Sequence, residues 1–414
     1  MNLYTLTSDL HGEFSMPASN EAFILAIESN LGEPFTHKGN DYADYGQGED
    51  IIYVRTGGTE GLFKKIFCQD GVLSVPGKKK IRLLTSGKSN SLAASMEILS
   101  YLCQRNYPAE IIHGDEQQIA RRLQETSDES FISQRLPLKV NKILEGKRLG
   151  VVGRPSDWLI SSDVGYRKAY DTLGVELIDI PMEELLSEFE KGQMEPLPAL
   201  KGLNTPKFGK PITEETFTRS LLVYSALKRI VAKYHLNGLT LRCFDLLTAI
   251  QNTGCMALAI LNSEGIIGTC EGDVPTMLSM AAGQALCSTP GFQVNLSKAD
   301  RDELLFAHCT VPLNMVKDYT YDTHFESSIG VAVHGELPEG PATLLKIGSD
   351  LTHFVVRDVE LAANQYEGNL CRTQIIIKAD GLKDYMLHEP LGNHHVIFLG
   401  HHAQQIKEML RVDR

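Results

Sequence analysis

Two short segments, far apart in the chain, hold the residue types that could act together: Cys270-Glu271-Gly272-Asp273-Val274-Pro275 and Gly392-Asn393-His394-His395. Carboxylate and imidazole form the hard-to-borderline ligand set that a divalent ion such as Mn²⁺ or Zn²⁺ accepts, so metal-assisted chemistry is the first to consider. With Glu271 facing a cleft, Asp273 is expected to cap the helix that Pro275 opens, its carboxylate accepting backbone N–H bonds. Neighbouring residues on a strand face opposite ways. One of His394 and His395 is therefore expected to act as ligand or polariser, and the other to lie at the surface or behind the site. Five of the thirteen histidines fall between His388 and His402, which reads equally as a histidine-rich surface loop.

Further polar clusters end apolar runs and could reach the same cleft. His308-Cys309-Thr310-Val311-Pro312 is one, and it adds weight to Glu271. Gly153-Arg154-Pro155-Ser156-Asp157-Trp158 is another, with the single tryptophan beside Arg154 and Asp157 offering an aromatic face to a sugar ring. Arg242-Cys243-Phe244-Asp245 reads either as a site or as a structural Arg–Asp pair. Arg372 reads as a ligand for an anionic or polyhydroxy substrate or as an exposed strand arginine. Thr56-Gly57-Gly58-Thr59-Glu60 is a functional loop or a turn. The cysteines show no CxxC spacing, and Cys270 and Cys309 are expected chiefly as packing thiols.

These clusters must be positioned by regular elements. Up to about residue 145, apolar runs (Ile51 to Arg55, Ile81 to Thr85, Ala109 to His113) alternate with helical patterns such as Leu92 to Leu102, the rhythm of a doubly wound domain. Residues 146–252 repeat it: strands at Arg148 to Gly153, Val175 to Ile180 and Gly238 to Arg242, helices at Tyr166 to Leu173, Met182 to Glu190 and Glu214 to His235. The Pro/Gly-rich stretch Leu197 to Pro211 is expected to be a loop. From 253 to 414 the pattern becomes α+β. Two helices bracket Glu271, and strands follow at Leu304 to His308, Ile329 to His334, Thr343 to Ile347, Cys371 to Lys378 and Val396 to Leu399, as an antiparallel sheet or partial barrel from which the chain can return to the second unit. The expected fold is thus α/β, with two Rossmann-like domains followed by an α+β domain.

At 414 residues the chain is long enough for two or three cores. Its net charge of −12 and lack of a basic stripe argue against nucleic acid as a partner. No window reaches the roughly 18 apolar residues of a membrane span, and a cytoplasmic protein is expected. Thr85-Ser86-Gly87-Lys88-Ser89 lacks the leading glycine of a phosphate loop, and Gly150-Val151-Val152-Gly153 lacks the three-glycine dinucleotide frame. ATP and NAD are therefore not called for.

Taken together, Cys270-Glu271-Gly272-Asp273, His308-Cys309-Thr310-Val311-Pro312 and Asn393-His394 with Gly400-His401 resemble the L-fucose and L-arabinose isomerase superfamily, nearest to the shorter L-fucose isomerase-like proteins. The resemblance follows domain order over most of the chain and is sharp in the last third. It implies a divalent metal, usually Mn²⁺, held by a Glu, an Asp and a His, and an ene-diol proton transfer on an open-chain sugar. Carried over by motif, Glu271 is the glutamate (ligand and base) and His394 the histidine, while Asn295 stands where the second carboxylate belongs. An asparagine oxygen can ligate a metal but cannot accept a proton at neutral pH. Asp300 and Asp302 are the nearby carboxylates that could substitute. The implied function is a metal-dependent aldose–ketose isomerase with Arg154, Asp157, Trp158, Arg242, His308 and Arg372 at the substrate. The alternatives are a catalytically silent sugar-binding homologue or another carbon-acid reaction of epimerase or aldolase type. A homo-oligomer, trimer or hexamer, is also implied.

Overall fold

The computed structural model describes residues 1–8, 16–125, 132–200, 202–203, 206–209 and 212–412. Three sheets organise them. The first is wholly parallel, in the order Thr36–Gly39, Asn2–Leu6, Asp50–Val54, Ile81–Thr85, Ala109–Ile112. Its central strand, Asp-Ile-Ile-Tyr-Val, is buried at every position, as a strand covered by helices on both faces must be. The second sheet is also parallel: Glu176–Ile180, Arg148–Val152, Gly238–Leu241, Ile267–Cys270. Its last strand lies beyond residue 252, where the sequence pattern changes, so Glu271 hangs from the second sheet rather than from the following unit.

Six antiparallel strands form the third sheet: Gly340–Ile347, His395–Leu399, Phe292–Asp300, Glu303–His308, Thr373–Lys378 and His353–Gln365. Pairing of Gly340–Ile347 with His353–Gln365 closes the order on itself, giving the barrel-like sheet. Closure removes the exposed edges that an open antiparallel sheet would present. Leu136–Pro137 adds a short strand beside His353–Gln365. A separate ribbon pairs Asp318–Asp322 with Ala332–Glu336, so the strand expected at Ile329 to His334 begins and ends later. Of the expected loop Leu197 to Pro211, residues 201, 204–205, 210 and 211 lie outside the described residues.

Two helices matter for the site. Ser91–Cys103 is buried at every position from Ser91 to Leu102, including Glu97. Val274–Cys287 begins where Asp273 accepts the Thr276 backbone N–H at 2.8 Å, the expected cap, and Pro275 occupies its first turn. The last helix, Ala403–Arg411, buries Ile406 and Leu410 in a cluster shared with Leu149 and Val151 of the second sheet. No helix among the described residues is long and apolar enough to cross a membrane.

Candidate active site and metal centre

Ligands of parallel α/β sheets bind beyond the carboxyl ends of the strands, and both parallel sheets here direct those ends at one cavity, walled on its far side by the barrel. Strand Asp50–Val54 leads to Gly57, Gly58 and Glu60, Ile81–Thr85 to Asn90, Arg148–Val152 to Trp158, Gly238–Leu241 to Phe244 and Ile267–Cys270 to Glu271. From the barrel come Asn295 on Phe292–Asp300 and His308 at the end of Glu303–His308, with Asn393 just before His395–Leu399.

Glu271 follows directly on its strand with φ of 65°, a left-handed conformation uncommon outside glycine. Such strain concentrates at functional positions that the surroundings enforce. Enforcement is visible next door. Gly272 has φ of 70°, and a Cβ there would stand 2.5 Å from the Arg154 carbonyl oxygen, so only glycine lets the two loops meet. The Ser156 N–H donates to the Glu271 carbonyl at 3.0 Å, tying the loops together.

The Glu271 carboxylate accepts a hydrogen bond from Trp158 Nε1 at 2.6 Å through Oε2 and faces His394 Nε2 at 3.3 Å through Oε1. His394 is fully buried, and its Nδ1 pairs with Asp273 Oδ2 at 2.8 Å. This carboxylate orients the ring and presents Nε2 to the cavity, the support that metal-binding histidines commonly receive. Lys346, itself fully buried, donates to Thr276 Oγ1 at 2.9 Å and lies 3.8 Å from Asp273 Oδ1. Across from these, the His308 ring stands 5.5 Å from the His394 ring, with Nδ1 against Thr310 Oγ1 at 3.1 Å.

Electrostatics separates these groups. Burial alone would raise the Glu271 carboxyl, but His394, His308 and the Trp158 hydrogen bond hold it below its usual value. Asp273 is likewise penalised by burial and held well below the carboxylate range by Lys346 and His394. Burial opposes charge on His394, yet Glu271 and Asp273 push it up to about 10. Burial, then repulsion by His394, pulls His308 down to about 4.

One donor atom each from Glu271, His308 and His394 lies within 4.8 Å of the other two. His394 Nε2, Asn295 Oδ1 and Asn393 Oδ1 are buried with no hydrogen-bond partner among the described residues. Buried polar atoms are nearly always satisfied, so unpaired donor atoms around one cavity are what a ligand would fill. Two imidazoles and a carboxylate with an open side match a catalytic divalent ion. The residues present therefore fit a metal.

Of the residues singled out from sequence, the fold brings Glu271, Asn295, His308, His394 and Trp158 to this cavity. His308, expected at the substrate, stands with Glu271 and His394 in the group of residues that could hold a metal. The others lie apart from the cavity lining. Arg154 is 70% exposed and pairs with Asp157 at 3.3 Å. Arg242 is the structural pair: it bonds Asp245 and Asp157, at 3.0 and 2.8 Å, and the Pro155 carbonyl. Arg372 is buried, not exposed, donates to the Thr323 carbonyl at 2.7 Å and faces Asp322 at 3.7 Å. Asp300 and Asp302 are exposed at the turn of their hairpin and do not replace a carboxylate at Asn295. His395 points away from His394, to Tyr385, and is buried rather than at the surface, while His401 is exposed. Cys270 and Cys309 do line the cavity, as do Gly57, Gly58 and Glu60 of the glycine-rich loop.

Sequence reasoning missed Glu97, Glu326 and Asn90. Glu97, fully buried, accepts the Ser161 N–H at 2.7 Å and the Ser162 hydroxyl at 3.1 Å through Oε1, and the Asn393 N–H at 3.0 Å through Oε2. It thus ties the first unit to the loops that carry Trp158 and His394. A single charge within the otherwise uncharged run Ser91 to Cys103 was the signal for it.

No known family profile matches the chain. It is similar to sulfoquinovose isomerases of Priestia aryabhattai and Priestia megaterium, each 21% identical over 432 residues that cover 97% of this chain and 91% of the relative. It is also similar to the sulfoquinovose isomerase of Alkalicoccus urumqiensis, 23% identical over 304 residues, 66% of this chain and 61% of the relative. The likeness runs the length of the chain and agrees with the expectation of an isomerase enzyme.

Proposed function

We propose that the chain is a metal-dependent aldose–ketose isomerase acting on an open-chain sugar or sugar derivative. The observation that carries this reading is the Glu271, His308 and His394 donor set, with His394 Nε2 and the neighbouring Asn295 Oδ1 buried without a hydrogen-bond partner among the described residues, in a cavity at the carboxyl ends of two parallel sheets. Relatives named as isomerases of a sugar support it independently. Glu271, His308 and His394 hold the ion, with the Asn295 carboxamide oxygen as a fourth, neutral donor. Mn²⁺ suits this mixed oxygen and nitrogen set. When bound, the ion supplies Lewis-acid stabilisation of the oxyanion that develops as the carbon beside the carbonyl loses its proton.

The chain's own residues do the rest. Glu271 has one oxygen fixed by Trp158 and accepts the carbon-bound proton. The Trp158 and Phe244 rings, 4.9 Å apart edge to face, exclude water from one side. Asp273, fixed at the helix start, holds His394 in position. Arg154, Asp157, Arg242 and Arg372 brace the surrounding loops rather than contact the sugar. Assembly into a trimer or hexamer accompanies this reading, and the native mass in solution measures it.

The test is NMR-detected deuterium exchange at C2 across a panel of aldopentoses, aldohexoses, 6-deoxyaldohexoses and sulfoquinovose, with Mn²⁺ added or chelated. Metal-dependent exchange on one sugar is expected. No exchange on any sugar would sink the reading and favour a silent sugar-binding protein. In the same assay Asn295→Asp should tighten Mn²⁺ binding. A rise in isomerisation would mark weakened isomerase chemistry in the present chain, and loss of the native activity a different carbon-acid reaction.

A further inference from the structure

Glu271 cannot complete an aldose–ketose conversion alone, because protons must also move between the two substrate oxygens, and Asn295 cannot carry them. Two other carboxyls line the cavity, Glu60 and Glu326. Glu326 lies between strands Asp318–Asp322 and Ala332–Glu336, and its Oε1 accepts from Asn90 Nδ2 at 2.7 Å. That is the one hydrogen bond of this carboxyl among the described residues, so its second oxygen is uncommitted. Asn90 stands at the head of helix Ser91–Cys103 with φ of 58°. A residue of the first unit thus aims a carboxyl of the last unit at the site. Glu60 is more deeply buried. It stands in the first turn of helix Glu60–Phe67, and burial pushes its carboxyl well above the usual value although the backbone N–H groups there oppose the shift.

We propose that Glu326 is a catalytic residue of the isomerisation, the acid and base that exchanges protons with the substrate oxygens while Glu271 exchanges them with carbon. This role rests on the isomerase reading. As Glu271 takes the proton from C2, the C2–H electron pair forms the C1=C2 bond. The C1=O π pair moves to O1, which takes the proton of Glu326. The Glu326 carboxylate then takes the O2–H proton, and that electron pair forms C2=O. The C1=C2 pair takes the proton back from Glu271 at C1. Both residues end as they began, and the sugar has changed from aldose to ketose with no net gain of protons or electrons. Burial and the charge of Glu271 push the Glu326 carboxyl up to about 8, so it starts the cycle protonated at neutral pH.

The experiment follows turnover of whichever sugar of the same panel the unaltered Mn²⁺-loaded protein converts. Glu326→Gln should lower turnover by about 10² or more, with melting temperature and Mn²⁺ affinity unchanged. Glu326→Ala should regain at least about tenfold when formate is added, since a small carboxylate can enter the vacated space and carry protons. Turnover of Glu326→Gln within threefold of the unaltered protein overturns the proposal. So does a loss in Glu326→Ala that formate does not relieve. Failure of the unaltered protein to convert any panel sugar is a different result, which overturns the isomerase reading and this role with it.

Discussion

On one side of the cavity Glu271 and Asp273 face His394, with Lys346 behind them, whereas on the other Glu60 and Glu326 have no ion-pair partner among the described residues. Burial is common to all four carboxyls, yet the first two are held below their usual values and the last two are pushed above. Desolvation disfavours charge on every carboxyl, and a cation within a few ångströms reverses the outcome. The pairing therefore divides the labour. The compensated side keeps its carboxylates charged, as an ion that displaced the His394 proton would require, and the uncompensated side keeps its protons, as the proposed role of Glu326 requires. Two carboxyl environments pushed apart in this way are how one site runs acid and base chemistry together.

The sharpest way to break this division is to remove charge from the compensated side. Glu271→Gln keeps the shape and one oxygen but lowers the negative charge facing His394 and His308. Mn²⁺ affinity should fall by about 10² or more, since a carboxylate ligand is replaced by a neutral one, and turnover should be lost with it. Calorimetric titration with Mn²⁺ checks the first and the sugar assay the second. Unchanged Mn²⁺ affinity would show that the ion is held elsewhere.

Much of the compensated side was legible in the sequence, because Glu271, Asp273 and His308 sit where apolar runs stop and His394 sits just ahead of one. Ile81–Thr85, Tyr166–Leu173 and Met182–Glu190 lie where the pattern sets them, each a strongly apolar or amphipathic run between clear breakers. The uncompensated side was not legible. Glu326 lies in a polar stretch with no periodicity, and what distinguishes it is Asn90, brought from the first unit by tertiary packing. Strand His353–Gln365 escaped for another reason. Its burial alternates irregularly, and a register shift between Leu361 and Ala363 breaks the period of two on which such a reading depends. Arg372 failed because chain position cannot tell a buried arginine bonded to a carbonyl from an exposed one.

A smaller perturbation tests whether the compensated side depends on the support behind it. Both oxygens of Glu97 are committed to groups of the Ser161–Ser162 and Asn393 loops. Glu97→Ala leaves two backbone N–H groups unpaired in a buried setting, which costs about 2–5 kcal/mol. With Asn393 released, His394 should be held less firmly. Mn²⁺ affinity is expected to fall about tenfold, the scale of losing a group that orients a ligand. Thermal melting and Mn²⁺ titration together check this. A destabilised protein with unaltered Mn²⁺ affinity would show that Asp273 alone positions His394, and would narrow the compensated side to the residues that touch one another.

The smallest effect belongs to Arg154, and it bounds the division from outside. The Arg154–Asp157 pair is 3.3 Å apart with side chains 70% and 64% exposed, and Asp157 is held below its usual value chiefly by its hydrogen bond with Arg242. An exposed ion pair of this kind gains little, because water screens both charges and the side chains lose freedom in meeting. Arg154→Ala should change stability by less than about 0.5 kcal/mol, leave Mn²⁺ affinity untouched and leave turnover within about twofold. The backbone carries the function here. The Arg154 carbonyl packs against Gly272, and that contact survives any side chain at position 154. A large loss of turnover in Arg154→Ala would mean that a cation from this loop reaches the sugar, and the cavity would then need a third kind of wall.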